Sequence, residues 1–204
     1  LPAFFMPAVI LVIAGTGFIF FILHLQGINP LLVKPLVPVG ELPAFFSPSV
    51  RYWESRILAW SAHWNLDPLL VTTVMQIESC GDPEAISPAG AQGLFQVMPF
   101  HFAPGDAMLD PDTNALRGLA YLQESYQIAQ GDIERTLAGY NGGHGQISRQ
   151  WESWPEETRR YAAWGLGIYQ EAQSGGEHSE THHEWLQAGG WHLCQQAEKR
   201  LGLR

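Results

Sequence analysis

Glu78 closes a run, Asp67-Pro68-Leu69-Leu70-Val71-Thr72-Thr73-Val74-Met75-Gln76-Ile77-Glu78, whose apolar positions recur at helical spacing. Asp67-Pro68 reads as an N-cap followed by proline at the first helical position, where a missing N–H costs nothing. On such a helix Val71, Val74 and Met75 share the face of Glu78, at i−7, i−4 and i−3. One carboxylate thus lies on an apolar stripe in the last helical turn. Loss of water there favours the neutral acid, and the negative end of the helix dipole acts in the same direction. Both raise a carboxyl pKa, which a general acid working near neutral pH requires. The same spacing also fits a glutamate that simply turns into solvent at a helix end, as most glutamates do. Taken by itself, the helix leaves both readings open.

Other chemistry-bearing residues are less pointed. Cys80 follows the Glu-Ser pair, but no His/Asn arrangement accompanies it as a nucleophile would need. Its one companion is Cys194. In an exported chain this even pair is expected to form a disulfide, although the spacing also fits two buried thiols. His178, His182, His183 and His192 cluster near the C-terminus among Glu177, Glu180 and Glu184. No HExxH or Cys/His pattern completes a metal site, so solvated helix surface is the expected role, and neither metal nor cofactor is expected. Trp151, Trp154, Trp164, Trp185 and Trp191 fit core packing as well as sugar stacking.

The elements that must position Glu78 are helical. After the segment Val50–Trp64 and the helix from Pro68, helices are expected at Pro111–Ile128, Ile133–Tyr140, Glu156–Ala172 and Glu180–Leu201, the last broken at Gly189-Gly190. Between Gly81 and Gly90 the chain is rich in turn residues, and no segment sustains a period of two. A mostly α domain follows.

Composition divides the 204 residues further. No Asp, Glu, Lys or Arg precedes Lys34, and residues 1–26 form an apolar run long enough to span a bilayer as a helix near Ala3–Leu23. A retained transmembrane or signal-anchor helix is expected there, because a cleaved signal would have a shorter apolar core and a small-residue cleavage site. Residues 27–47 carry four prolines in Gly27–Phe46 and read as a spacer. Residues 48–173 form the main domain, and Ser174-Gly175-Gly176 opens a C-terminal helical appendix over 174–204. A net charge of −9 excludes a nucleic-acid partner, which needs a concentrated basic surface.

The residues around Glu78 narrow the reading. In order come Ser87-Pro88-Ala89-Gly90-Ala91, Gly93-Leu94-Phe95-Gln96-Val97-Met98-Pro99, and Asp110-Pro111 with Asn114, Gly118 and Tyr121-Leu122. Leu137-Ala138-Gly139-Tyr140-Asn141-Gly142-Gly143 and Pro155-Glu156-Glu157-Thr158 with Tyr161 complete the set. Over about Leu69 to Tyr169 this ordered set resembles the catalytic domain of soluble-lytic-transglycosylase (SLT) enzymes, which cleave bacterial peptidoglycan. The resemblance implies a lysozyme-like helical fold with the glycan in a groove. Glu78 would be the sole acid/base, protonating the glycosidic oxygen between N-acetylmuramic acid and N-acetylglucosamine. It would then take the proton of the muramic acid 6-hydroxyl, leaving a 1,6-anhydro end. Substrate-assisted enzymes need no second carboxylate, whereas two-carboxylate glycosidases place one about 5–9 Å away. The only acids considered for that second place, Asp82, Glu84, Asp106 and Asp110, read as turn or cap residues.

By the same resemblance Ser87 and Gln96 would hydrogen-bond the sugar beside the acid, and Met98 would wall its ring. Tyr140 would turn its hydroxyl toward the catalytic carboxyl, and Glu157 would sit at a more remote groove position. The departures are Phe95, His101, Gly139 and His144, where the family commonly has Met, a small polar residue, Ala and Pro. They bear on which glycan the groove prefers. The expected protein is a peptidoglycan lytic transglycosylase, held at the cytoplasmic membrane by one helix, with its catalytic domain outside. The alternatives are a muramidase-type hydrolase on the same fold and a non-catalytic glycan-binding protein.

Overall fold

The computed structural model describes residues 41–204. The expected membrane helix of residues 1–26 lies outside the described residues, as does most of the spacer. The described part of that spacer packs inward: Leu42 and Phe46 are buried against the helical core.

Eight α-helices are described: α1 (Pro48–Arg51), α2 (Glu54–Trp64), α3 (Pro68–Glu78), α4 (Pro111–Ile128), α5 (Ile133–Gly142), α6 (Glu156–Gln173), α7 (Glu180–Trp185) and α8 (Trp191–Arg200). Among the described residues there is no β-strand, only isolated antiparallel bridges at Ile86–Gln92 and Gln92–Val97. The mostly helical architecture expected from the sequence is therefore what these residues form.

Three of the helices start by one device. The carboxylates of Asp67, Asp110 and Asp132 each accept a backbone N–H of the first turn, from Leu69, Thr113 and Arg135, at 2.9 Å. In the first two, proline follows the cap. α3 is the central helix. Leu70, Val71, Val74 and Met75 are buried, and the hydroxyls of Thr72 and Thr73 are satisfied by carbonyls one turn back, at 2.7 and 2.8 Å. It packs against α2 on one side and α6 on another, while α5 packs between α4 and α6.

Two expected helices are interrupted. The pattern Val50–Trp64 is split at Tyr52-Trp53, where the N–H of Trp53 reaches only three residues back, to Val50. The Trp53 ring turns inward, and its Nε1 donates to the Gly81 carbonyl at 2.9 Å, so a tertiary bond outweighs the local ladder. The C-terminal helix breaks at Leu186–Gly190, where Gly189 adopts φ 130°, a value closed to other residues.

The C-terminal helices are fastened to the turn that follows Glu78. Cys80 and Cys194 are disulfide-bonded. Asp82, fully buried, is paired with Arg200 at 3.0 Å and accepts from Gln196 at 3.0 Å, while Glu84 also meets Arg200. Beneath the disulfide the amide of Gln76 bridges Ser47 and Cys80, donating at 3.0 Å to the hydroxyl and 3.1 Å to the sulfur. Removing one partner from a buried ion pair strands the other charge, so α8 is bound to this turn by more than the covalent link.

Candidate active site

Glu78 is the last residue of α3 and, like Ile77 before it, half-buried, whereas Leu70 to Gln76 are closed off from water. Burial pushes its carboxyl from the ordinary 4.5 up to about 8. The nearby Tyr161 hydroxyl opposes that rise, and the charge of Glu157 adds to it. At pH 7 such a group is about ten to one protonated, which is the state a general acid needs.

The same shift has a consequence for stability. Below pH 4.5 the carboxyl is protonated whether the chain is folded or not. Between 4.5 and about 8 the unfolded chain releases this proton while the fold retains it, so stability declines as pH rises through that window. Glu78→Gln removes the effect. Urea denaturation is expected to show the variant about 3 kcal/mol more stable than the parent near pH 9, a figure discounted for the water the cleft still admits. At about pH 4 the two should be nearly equal; a gap independent of pH would mean the carboxyl is not desolvated.

The turn after Glu78 is held by its neighbour. Ser79 is buried, donates to the Leu94 carbonyl at 2.7 Å and accepts the Gly81 N–H at 3.1 Å. This ties the end of α3 to the loop Gly93–Met98. Asn114 of α4 holds the same loop from the other side, accepting from the Phe95 N–H at 2.9 Å and donating to the Gln92 carbonyl at 2.7 Å. Gly93 must be glycine: φ is +69°, and a Cβ there would stand 2.6 Å from the Asn114 amide.

That loop carries the expected sugar contacts. Gln96 is held at φ 45°, a left-handed conformation costing about 1 kcal/mol or more for a side chain of this kind. Its Nε2 donates to the carbonyls of Ala85 and Gly93 at 3.1 and 2.9 Å, which leaves its Oε1 to meet a ligand. Backbone strain of this sort concentrates at functional sites. Ser87 is half-buried, and its hydroxyl accepts the Ala91 N–H at 3.0 Å, so its proton stays available for donation. Met98 is half-buried at the end of the loop.

The tyrosines differ from expectation in their roles. The Tyr140 hydroxyl donates to the Phe95 carbonyl at 2.7 Å rather than to the Glu78 carboxyl. Its ring is near enough for the charge of Glu78 to reinforce the rise in its own pKa, which burial dominates. The hydroxyl that bears on the Glu78 carboxyl is that of Tyr161, which is buried and makes no hydrogen bond of ordinary geometry among the described residues. Its pKa too is driven well up, first by burial and then by Glu78, so it stays a proton donor. Sequence reasoning left Tyr161 without a role. Its signal was the spacing Glu157 to Tyr161, i and i+4 on α6, which places both on the face that reaches Glu78. Glu157 itself is exposed.

The four other acids weighed as a second carboxylate are engaged elsewhere. Asp82 and Glu84 meet Arg200, Asp106 meets Arg117 at 2.7 Å, and Asp110 caps α4. Among the described residues no group of three or more His, Cys, Asp or Glu is arranged to hold a metal ion. A shallow depression of about 570 Å³ lies between α4 and α5, bordered by Ile128, Asp132, Arg135, His144 and Ile147. It lacks Glu78, and its Arg135 is already bound to the carbonyls of Ile147 and Arg149, so it is separate from the cleft at Glu78.

Residues 55–162 match the family model of the Transglycosylase SLT domain, more than half of the chain. The chain belongs to this SLT family. Its SLT domain includes Glu78, Ser87, Gln96, Met98, Tyr140, Glu157 and Tyr161, whereas α7, α8 and Cys194 lie beyond it. The chain is 38% identical over 120 residues to the transglycosylase of Enterobacteria phage PRD1, an alignment covering 56% of this chain and 42% of that protein. It is 37% identical over 87 residues to the soluble lytic murein transglycosylase of Escherichia coli K12, covering 36% of this chain and 13% of that one. With the membrane-bound lytic murein transglycosylase C of Cronobacter sakazakii the identity is 31% over 146 residues, 61% of this chain and 40% of the relative. The SLT chain thus spans less than half the length of each. Among solved structures, an inactive mutant of the lytic transglycosylase Slt of Pseudomonas aeruginosa aligns with 23% identity and a TM-score of 0.49, over 59% of this chain and 24% of that one. Among the described residues no helix is long and apolar enough to cross a membrane.

Proposed function

We propose that this chain is a lytic transglycosylase of peptidoglycan, with Glu78 as its single acid/base. The observation that carries the reading is a carboxyl at the end of a buried helix, withdrawn from water, where Ser79 ties the helix to the loop that holds Gln96. Glu78 gives its proton to the glycosidic oxygen between N-acetylmuramic acid and N-acetylglucosamine as the C1–O bond breaks. The acetamido group of the muramic acid steadies the charge that develops at C1. The 6-hydroxyl then attacks C1 and returns its proton to the Glu78 carboxylate, so the 1,6-anhydro ring closes and no water is consumed. Tyr161, a neutral donor, stabilises the transient carboxylate. Ser87 and the Oε1 of Gln96 orient the sugar, and Met98 lines its apolar side. Tyr140 supports the loop through the Phe95 carbonyl.

Residues 1–26, apolar and free of formal charge, would anchor the chain in the cytoplasmic membrane, with the domain on the side where the substrate lies. One observation favours a second reading. Glu157 is close enough to influence Glu78, and an acid there could activate water as a hydrolase does. Mass spectrometry of digested sacculi separates the two. Anhydro-ended muropeptides, each one water lighter than its hydrolysed counterpart, are expected; reducing ends alone would replace the transglycosylase by a muramidase.

A further inference from the structure

His101 and His144, two of the departures from the family pattern, stand on either side of one tyrosine. The His144 ring stacks on Tyr121 with centroids 4.3 Å apart and planes at 14°, and His101 lies 4.6 Å from the same ring. Phe100 continues the series, 4.5 Å from His101. At the other end Tyr121 is 5.8 Å from Tyr140, whose hydroxyl bears on the Phe95 carbonyl beside Gln96. A contiguous row of rings therefore runs from the Glu78 cleft outward, through Tyr140, Tyr121 and His101, to Phe100. Tyr121 is half-buried within it and lies flat against the His144 ring. Burial and the neighbouring His144 lower the pKa of His101, with Glu124 opposing, so its ring favours the neutral form.

The outer end of this row opens to solvent. Phe100 is 75% exposed and His101 is exposed, on the short turn Pro99–His101 directly after Met98. An apolar ring left in water beside a cleft is stabilised when a ligand covers it. A pyranose fits this surface: its axial C–H face is apolar, and its rim of hydroxyl and acetamido groups can reach the ring nitrogens of His101. Resting on the reading of the Glu78 cleft as a glycan groove, we infer that Phe100 and His101 form an additional subsite that stacks an N-acetylated sugar of the same strand, away from the bond being cut. The occupant is the sugar rather than the peptide stem, because the surface offers aromatic faces, and the arginine one turn before Tyr121, Arg117, is already paired with Asp106 at 2.7 Å.

The test uses the full chain carrying Glu78→Gln, so that binding is read without cleavage. The probes are peptide-free glycan strands and intact sacculi. Phe100→Ala and His101→Ala, made separately so that misfolding of one leaves the other, are expected to weaken binding to both probes by about 5- to 10-fold, as loss of an aromatic contact does. Phe100→Tyr should restore it. With Glu78 present, the alanine variants should raise KM by a similar factor and change kcat much less. Unchanged binding to peptide-free strands overturns the subsite, and a loss confined to sacculi overturns it in favour of a peptide contact. If Glu78→Gln alone binds neither probe, the glycan-groove reading itself fails, a result distinct from either of these.

Discussion

Replacing Glu78 by Gln is expected to lower glycan-strand cleavage by roughly 10²–10⁴-fold, the range that a positioned general acid contributes. The amide has the size of the carboxylic acid and can accept from the Tyr161 hydroxyl, so the fold and the cleft should survive. What it lacks is a proton of the right acidity for the leaving oxygen. The rate should be followed as release of soluble muropeptides from sacculi, alongside a binding assay that shows the groove intact. Activity within a factor of two of the parent would remove Glu78 from the chemistry, and the assignment of Tyr161 would fall with it. The parent's own rate should decline as pH rises through about 8, because the acid form is lost there.

The second large effect concerns stability. Cys80 and Cys194 close a loop of 114 residues, and loss of a cross-link over so long a loop costs about 4 kcal/mol through the freed unfolded chain. Cys80→Ser combined with Cys194→Ser is therefore expected to lower Tm by about 10 °C. The ion pair of Asp82 with Arg200 and the bond from Gln196 should keep α8 docked well below that temperature. Thermal unfolding followed by circular dichroism, with and without reductant, checks this: the parent should shift under reductant and the double variant should not. A change below about 1 kcal/mol would show that the noncovalent contacts alone hold the tail.

The disulfide illustrates how far a linear reading reaches. Two cysteines in one chain are a pair on paper, but proximity across 114 residues is decided by how α8 folds back, which no local pattern specifies. The break at Trp53 is similar. Its apolar spacing is helical throughout Val50–Trp64, and only the Gly81 carbonyl, 28 residues away, explains the interruption. Gln96 gives the sharpest case. Its place in the motif is visible, whereas its left-handed backbone and the carbonyls of Ala85 and Gly93 that converge on its side-chain amide are set by the fold.

From the residues alone came the capped start of the helix at Asp67, the helical spans from Pro111 and Ile133, the apolar face that carries Glu78, and the ordered motifs of the family. These are legible because caps and helical periodicity act over three or four residues, within reach of a linear pattern. Which hydroxyl is left free near the Glu78 carboxyl was decided by the packing of α5 and α6. Tyr140 and Tyr161 both stand in family motifs, yet one is drawn to the Phe95 carbonyl and the other is left without a hydrogen-bond partner where it bears on the acid. The same packing withdraws water from the carboxyl, and desolvation depends on every neighbour in three dimensions rather than on those adjacent in the chain.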